Sequence, residues 1–197
     1  MGHSRTEHDL FTDYKERFSR PNYRYRDYLA DTWKRLLHDY ALREWHIIRI
    51  AHSDKVPVAG SRWAAEPLGY EEAYKAVLNG DNLAVVAGTK LVIVDCDTPD
   101  INGLSQMIMQ TRTCRTPRGW HFYTRTPFDR KLWHRLQHKY PFLDNPRTNI
   151  MYALLPISKC FLQENRKRVP GPARLYEWMN LYDPLSFTVF VKRAVKC

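Results

Sequence analysis

A short apolar run that ends in two aspartates constrains this chain more than any other part of its sequence. Residues 91–94 are all apolar, and Asp95, Cys96 and Asp97 follow directly. The run has strand character, and alternate residues of a strand point to the same side, so Asp95 and Asp97 present their carboxylates together. Two adjacent carboxylates repel, and a hard divalent cation such as Mg²⁺ or Mn²⁺ relieves that repulsion. The alternative is that Asp97 begins a turn that Asp95 caps.

The remaining pattern predicts a mixed α+β fold with hairpins rather than the regular strand–helix alternation of a doubly wound sheet. Helical spacing of apolar residues predicts helices over residues 27–43, 70–78, 101–110 and 130–139. Strands are expected within residues 45–51, 83–87, 91–94, 120–124, 150–155 and 173–178. Gly88-Thr89-Lys90 separates two of these runs and indicates a hairpin. We expect residues 1–44 to form a polar, helical extension and residues 45–197 the main domain, in one compact unit.

Basic residues are concentrated in one third of the chain. The whole chain has 31 Lys+Arg and 21 Asp+Glu, a net charge of +10. Residues 111–174 contain 14 Lys and Arg but only three acids, a net charge of +11, so the rest of the chain sums to −1. Charge placed this way favours a polyanionic partner such as nucleic acid, with a solvated basic face as the alternative.

Several classes of protein are disfavoured. No stretch of even 15 residues lacks charge, which argues against a membrane-spanning helix, and the first 18 residues do not resemble a secretory signal. The four cysteines are scattered singly, so we expect neither a disulfide framework nor a four-cysteine zinc site, and a reduced cytoplasmic setting fits best. The phosphate-binding loop of helicases and the glycine fingerprint of dinucleotide-binding folds are both missing.

A second candidate site follows the basic residues Arg115 and Arg118. Gly119 lets the backbone approach a ligand closely, and the strand that follows places His121 on the face opposite its two apolar neighbours. Both arginines, with backbone N–H groups of the turn, would suit phosphate oxygens. The alternative is a hydrogen-bonded structural histidine.

A third candidate is Asp144. It is the only acid between Asp129 and Glu164, in the most basic part of the chain. Two interpretations stay open: it balances Arg147, or it completes a metal site.

In their order along the chain, these three features resemble the prim-pol domain of the archaeo-eukaryotic primase superfamily, in particular that of plasmid and phage replication proteins. Other segments resemble the family in the same order: Lys55-Val56-Pro57 with Trp63, residues 80–85 with Gly88, Tyr152 to Pro156 and Ser158, and Tyr176-Glu177-Trp178. The matches run from about residue 45 to residue 178.

The resemblance implies a catalytic core with an RRM-like sheet that carries the acids, and an abutting N-terminal α/β part. It implies that Asp95, Asp97 and Asp144 are catalytic carboxylates that hold two divalent metal ions, Mg²⁺ or Mn²⁺. It further implies that the nucleotide is bound by His121, Arg118, Gly119, Ser158 and Lys159.

The function that the resemblance implies is template-dependent DNA polymerisation together with priming, in plasmid or phage replication in a bacterial or archaeal cell. The expected partners are single-stranded or primed DNA, dNTPs or NTPs, and a helicase domain or protein. From the basic region we expect DNA contacts by Arg112, Arg115, Arg166, Lys167 and Arg168. The rival interpretations are a non-catalytic single-strand-binding or initiator module and a metal-dependent nuclease.

Overall fold

Helices and strands follow one another irregularly along the chain, and most of the strands form two main sheets. This confirms the mixed α+β prediction. The computed structural model describes residues 25–52, 54–58, 62, 65–88, 90–101, 103–108, 110–148, 151–156, 158–160, 163–164, 167–168 and 174–196. The helices are α1 Tyr25–Leu42, α2 Tyr70–Leu78, α3 Ser105–Ile108, α4 Arg130–Lys139 and α5 Phe187–Lys196. The strands of the main sheets are β1 Ile47–Ile50, β2 Asn82–Val86, β3 Leu91–Cys96, β4 Thr113–Arg115, β5 Trp120–Arg125, β6 Tyr152–Leu154, β11 Glu177–Trp178 and β12 Leu185–Ser186.

The first sheet has the order β1–β2–β6, with β2 antiparallel to both neighbours. Helix α1 buries Trp33, Leu37 and Tyr40 in the same apolar cluster as these strands, and α2 adds Ala73 and Ala76. The sequence thus predicted both helices correctly, and of the apolar stripe expected on α1, Trp33, Leu36, Leu37 and Tyr40 are buried whereas Ala41 is exposed. The domain boundary at residue 44 stays a prediction, although α1 shares its core with β1 and β2.

The second sheet is built around β5. Strand β3 pairs with one edge of β5 and is antiparallel to it. Along the other edge lie β4, antiparallel, and β12, parallel, and β11 pairs with β4. Helices α4 and α5 cover this sheet and bury Trp133, Leu136, Phe187 and Phe190 in a second apolar cluster.

Four short strands form two further pairs. Strand β7, Lys159–Cys160, pairs with β10, Arg174–Leu175, and β8, Gln163–Glu164, pairs with β9, Lys167–Arg168. The segment predicted as one strand over residues 173–178 is therefore two strands, β10 and β11, in different sheets.

The predicted hairpin around Gly88 is wrong. Strands β2 and β3 belong to different sheets, although the Gly88 N–H does donate to the Leu91 carbonyl across 2.8 Å. Gly88 has a φ of 139°, so this turn sends the chain from one sheet to the other. Every residue of β3 is buried, and a strand without polar alternation carries no signal that selects its partner.

Two helices also differ from expectation. Only residues 105–108 of the segment 101–110 form a helix among the residues described there. Helix α5 was not predicted, although it buries Phe187, Phe190, Val191 and Ala194 along one side. Within the described part of the chain, no helix has the length and apolar character needed to cross a membrane.

Candidate active site

Strands β3 and β5 bring the first two candidate residues together. The antiparallel register places Asp95 directly opposite His121, and both side chains are buried. The His121 Nε2 atom lies 3.3 Å from Asp95 Oδ1. The protein itself therefore pairs the Asp95 carboxylate with the His121 ring.

The third acid, Asp144, lies along the edge of β3 that does not pair with β5. Isolated bridges pair Leu143 with Cys96 and Arg147 with Ile93, so residues 143–147 run antiparallel to β3. Within that stretch, the Asp144 N–H donates to the Asp95 carbonyl across 3.1 Å. Asp144, which is distant in sequence, is thereby held beside Asp95.

The three predicted acids form one cluster. Each of Asp95, Asp97 and Asp144 offers a carboxylate oxygen, and these oxygens lie within 4.8 Å of one another. Asp97 and Asp144 are exposed, whereas Asp95 is 5% exposed. The pKa of Asp144 is raised by its partial burial and then by the charges of Asp95 and Asp97, as expected for neighbouring carboxylates.

Arg147 stabilises the buried member of the cluster. Its Nε lies 3.1 Å from Asp95 Oδ2, its Nη2 contacts the same oxygen, and its Nη1 donates to the Tyr152 carbonyl across 3.0 Å. Burial opposes ionisation of Asp95, but His121 and Arg147 outweigh it and hold the pKa of this carboxyl far below its usual value. Asp95 therefore stays charged inside the protein.

Sequence reasoning considered Arg147 only as a partner of Asp144. The guanidinium instead binds Asp95, because residues 143–147 pair with β3 and carry Arg147 back along that strand. The only sequence signal for Arg147 was its position three residues after Asp144, and that spacing does not show that Arg147 binds Asp95.

Arg118 and Gly119 shape the entrance to the cluster. The Arg118 guanidinium forms an ion pair with Asp97, and both side chains are partly exposed. A Cβ on Gly119 would lie 1.9 Å from the Cys96 carbonyl oxygen and 2.8 Å from the Thr98 backbone. Glycine is required here because the turn packs directly on the backbone of Cys96 and Thr98, the two neighbours of Asp97.

The acid cluster suits a divalent cation. Its donors are all carboxylate oxygens, which hard cations such as Mg²⁺ and Mn²⁺ prefer. Asp95 Oδ1 is buried and accepts no hydrogen bond among the described residues, although His121 is 3.3 Å away. A buried carboxylate oxygen with that capacity left open fits a metal ligand.

The other two predicted nucleotide-binding residues are Ser158, which directly precedes β7, and Lys159, which begins it. The Ser158 hydroxyl is buried; it accepts from the Leu83 N–H at 3.2 Å and lies 3.0 Å from the Leu83 carbonyl, to which it donates. These two bonds tie it to strand β2. For Lys159 the structure describes only the backbone, as part of β7. Their nucleotide contacts stay predictions.

The predicted DNA contacts divide into three groups. Arg112 is corrected by the structure: it is 1% exposed and stands between the rings of Trp45 and Trp178, so it does not reach a surface. Arg115 is exposed and lies over the Trp120 ring. Arg166 lies outside the described residues, as does Trp63 of the earlier motif, and Lys167 and Arg168 are described only as the backbone of β9.

Sequence reasoning also missed a cavity beside the acids. It has a volume of about 340 Å³ and is lined by Lys55, His121, Arg147, Tyr152 and Tyr176, among others. These residues come from five separate stretches of the chain. Lys55 and Tyr176 were noted only as parts of family-like segments.

Comparison with known proteins supports the same assignment. No curated protein matches the chain. The family model of Prim-Pol, the N-terminal domain of bifunctional DNA primase/polymerases, matches residues 37–186, which is well over half of the 197 residues. That span includes the three clustered acids, His121 and the cavity residues. The chain therefore belongs to the Prim-Pol family of bifunctional DNA primase/polymerase domains, a nucleotidyltransferase family of DNA replication.

Proposed function

We propose that this chain is a template-dependent DNA polymerase that also starts chains as a primase. The single observation that carries the proposal is the convergence of Asp95, Asp97 and Asp144, whose ligand oxygens lie within 4.8 Å. The family match supports the reaction class. Single-stranded or primed DNA and dNTPs or NTPs would be the substrates. A helicase partner and a place in plasmid or phage replication belong to the same proposal.

In this proposal the three acids hold two divalent ions, Mg²⁺ or Mn²⁺. Such ions activate a 3′-hydroxyl for attack on the α-phosphate and neutralise charge on the triphosphate and the departing pyrophosphate. The protein supplies positions for them: β3 provides Asp95, Asp97 follows directly after that strand, and the paired segment provides Asp144. Arg147 binds the Oδ2 atom of Asp95 and keeps this carboxylate ionised.

His121 and the basic residues act on the substrates. Phosphoryl transfer depends mainly on positioning and on charge stabilisation, so cationic side chains near the acids would stabilise the negative charge of the phosphates. We assign His121 to the phosphates of the incoming nucleotide. Arg118 pairs with Asp97, and its guanidinium would suit a phosphate oxygen of the nucleotide if Asp97 held a metal ion.

The test is incorporation of dNTPs on a primed template with Mg²⁺ or Mn²⁺, repeated without primer and repeated with NTPs. The Asp97→Asn variant should lose incorporation by a factor of 100 or more, on the order of the loss of a metal-binding group, while DNA affinity is kept. Asp183→Asn is the matched control, because Asp183 is 83% exposed and lies outside the acid cluster.

Two results would overturn this proposal in favour of its rivals. DNA binding by the wild type without incorporation under any metal would indicate a single-strand-binding or initiator module. Metal-dependent shortening of the template, abolished by Asp97→Asn, would indicate a nuclease.

A further inference from the structure

The cavity beside the acid cluster contains a cation without an assigned role. Lys55 and Arg147 both line it, together with His121, Met151 and Tyr176. Arg147 is already bound to Asp95. Within the described part of the chain, no carboxylate forms an ion pair with the Lys55 ammonium. The cavity therefore has one available positive charge.

Several hydrogen bonds fix the backbone of the loop that carries Lys55. The Lys55 N–H donates to Asp54 Oδ1 at 2.6 Å, and the Lys55 carbonyl accepts from the Tyr152 hydroxyl at 2.9 Å. The Asn82 amide binds the Asp54 carbonyl at 3.1 Å, and Pro57 bridges to Ile50. These contacts tie the loop to β1, β2 and β6. The ammonium is thus presented to the cavity from a fixed base, as a binding residue should be.

A second observation points to a ligand in the same space. His121 lines the cavity and is 4% exposed, and its Nδ1 atom has no hydrogen-bond partner among the described residues. A buried ring nitrogen without a partner is costly unless a ligand supplies one. Lys55 reaches this cavity from the loop after β1, and His121 reaches it from β5 of the second sheet, so polar groups from distant parts of the chain converge there.

We propose that Lys55 binds the triphosphate of the incoming nucleotide in this cavity, across from His121. The inference rests on the proposed polymerase function for the nature of the ligand. An ammonium binds phosphate oxygens as a compact point charge, and partial exclusion of water strengthens that attraction. The volume of about 340 Å³ lies in the range of small-molecule sites. Lys55 would then contribute to nucleotide affinity, although it lies in a different segment of the chain from the acids and His121.

The experiment measures binding rather than turnover. The full chain is titrated by calorimetry with dATP, inorganic tripolyphosphate and deoxyadenosine, in Mg²⁺ buffer without DNA. The Lys55→Ala variant should bind dATP and tripolyphosphate about tenfold more weakly, the size of one lost charged hydrogen bond. Deoxyadenosine binding should not change. Lys55→Arg should retain most of the affinity, and Lys192→Ala, on α5 and outside the cavity, should match wild type.

Several outcomes would overturn the inference. One is a Lys55→Ala variant that binds both anions as wild type does, and another is a variant that loses DNA affinity while its dATP affinity stays unchanged. Lys55→Gln removes the charge but keeps a long polar side chain, and it replaces the alanine variant if that variant does not fold. A wild type that binds dATP through Lys55 but incorporates nothing would overturn the polymerase proposal and leave the phosphate site standing.

Discussion

Arg112 offers the sharpest test of the structure, because sequence reasoning placed it on DNA and the fold places it in the core. The guanidinium donates to Asp39 Oδ2 at 2.5 Å, to the Leu181 carbonyl at 3.1 Å and to the Tyr182 carbonyl at 3.2 Å. It also lies 5.4 Å from the centre of the Trp45 ring and 5.1 Å from that of Trp178. Arg112→Met removes the charge and its donors but keeps a long apolar side chain.

The expected cost can be worked from these contacts. Breaking a buried ion pair costs about 3–5 kcal/mol when the remaining charge is left uncompensated. Asp39 is 30% exposed and keeps its second partner Arg43 at 3.0 Å, so the lower end applies. We therefore expect Arg112→Met to lower the free energy of unfolding by about 3 kcal/mol. For a chain of this size that corresponds to a melting temperature lower by about 6–12 °C.

The assay is urea unfolding followed by tryptophan fluorescence, since two tryptophans flank the mutated residue. Arg115→Met is the matched control. Arg115 is exposed, so its replacement should change stability by less than about 0.5 kcal/mol. DNA affinity of folded Arg112→Met should equal that of wild type. A variant that keeps full stability but shows a smaller salt dependence of DNA binding would refute the burial argument.

Four further predictions concern the site and the basic region. Gly119→Ala should abolish incorporation and lower the melting temperature, because the new Cβ would overlap the Cys96 carbonyl; activity equal to wild type would contradict that packing. Arg147→Lys keeps the charge but loses the two-atom contact with Asp95, so incorporation should fall about tenfold or more; unchanged Mn²⁺ affinity by paramagnetic resonance would count against its role. His121→Ala should weaken dATP binding more than DNA binding, as nucleotide titration and gel shift will show, and equal losses would indicate a structural histidine. Neutralising the three cations 166–168 should reduce the salt slope of DNA binding by about 0.7 per lost contact; an unchanged slope would place the DNA elsewhere.

Some features of this protein follow from local sequence, and these were predicted well. Helices α2 and α4 begin and end where their apolar spacing and flanking residues indicated, and Asp129 caps α4 through the N–H groups of Lys131 and Leu132. The pair of aspartates was also recognisable from local sequence alone, and Asp95 lies within β3 while Asp97 follows directly after it. Such features are set by contacts between residues near in sequence, so spacing is enough to reveal them.

The partner of each buried element was decided only by the tertiary structure. Strands β2 and β3 belong to two different sheets. The sequence could not show this, because both strands are apolar and buried and either could pair with several apolar runs. Arg112 became a core residue because Asp39 and two carbonyls, 69 to 73 residues away in sequence, surround it. Pairing of residues 143–147 with β3 brings Asp144 beside Asp95, and Lys55 and His121 line one cavity although 66 residues separate them in sequence. A sequence shows which side chains carry chemistry, but long-range pairing decides which of them share a site, since burial energy depends on every neighbour at once.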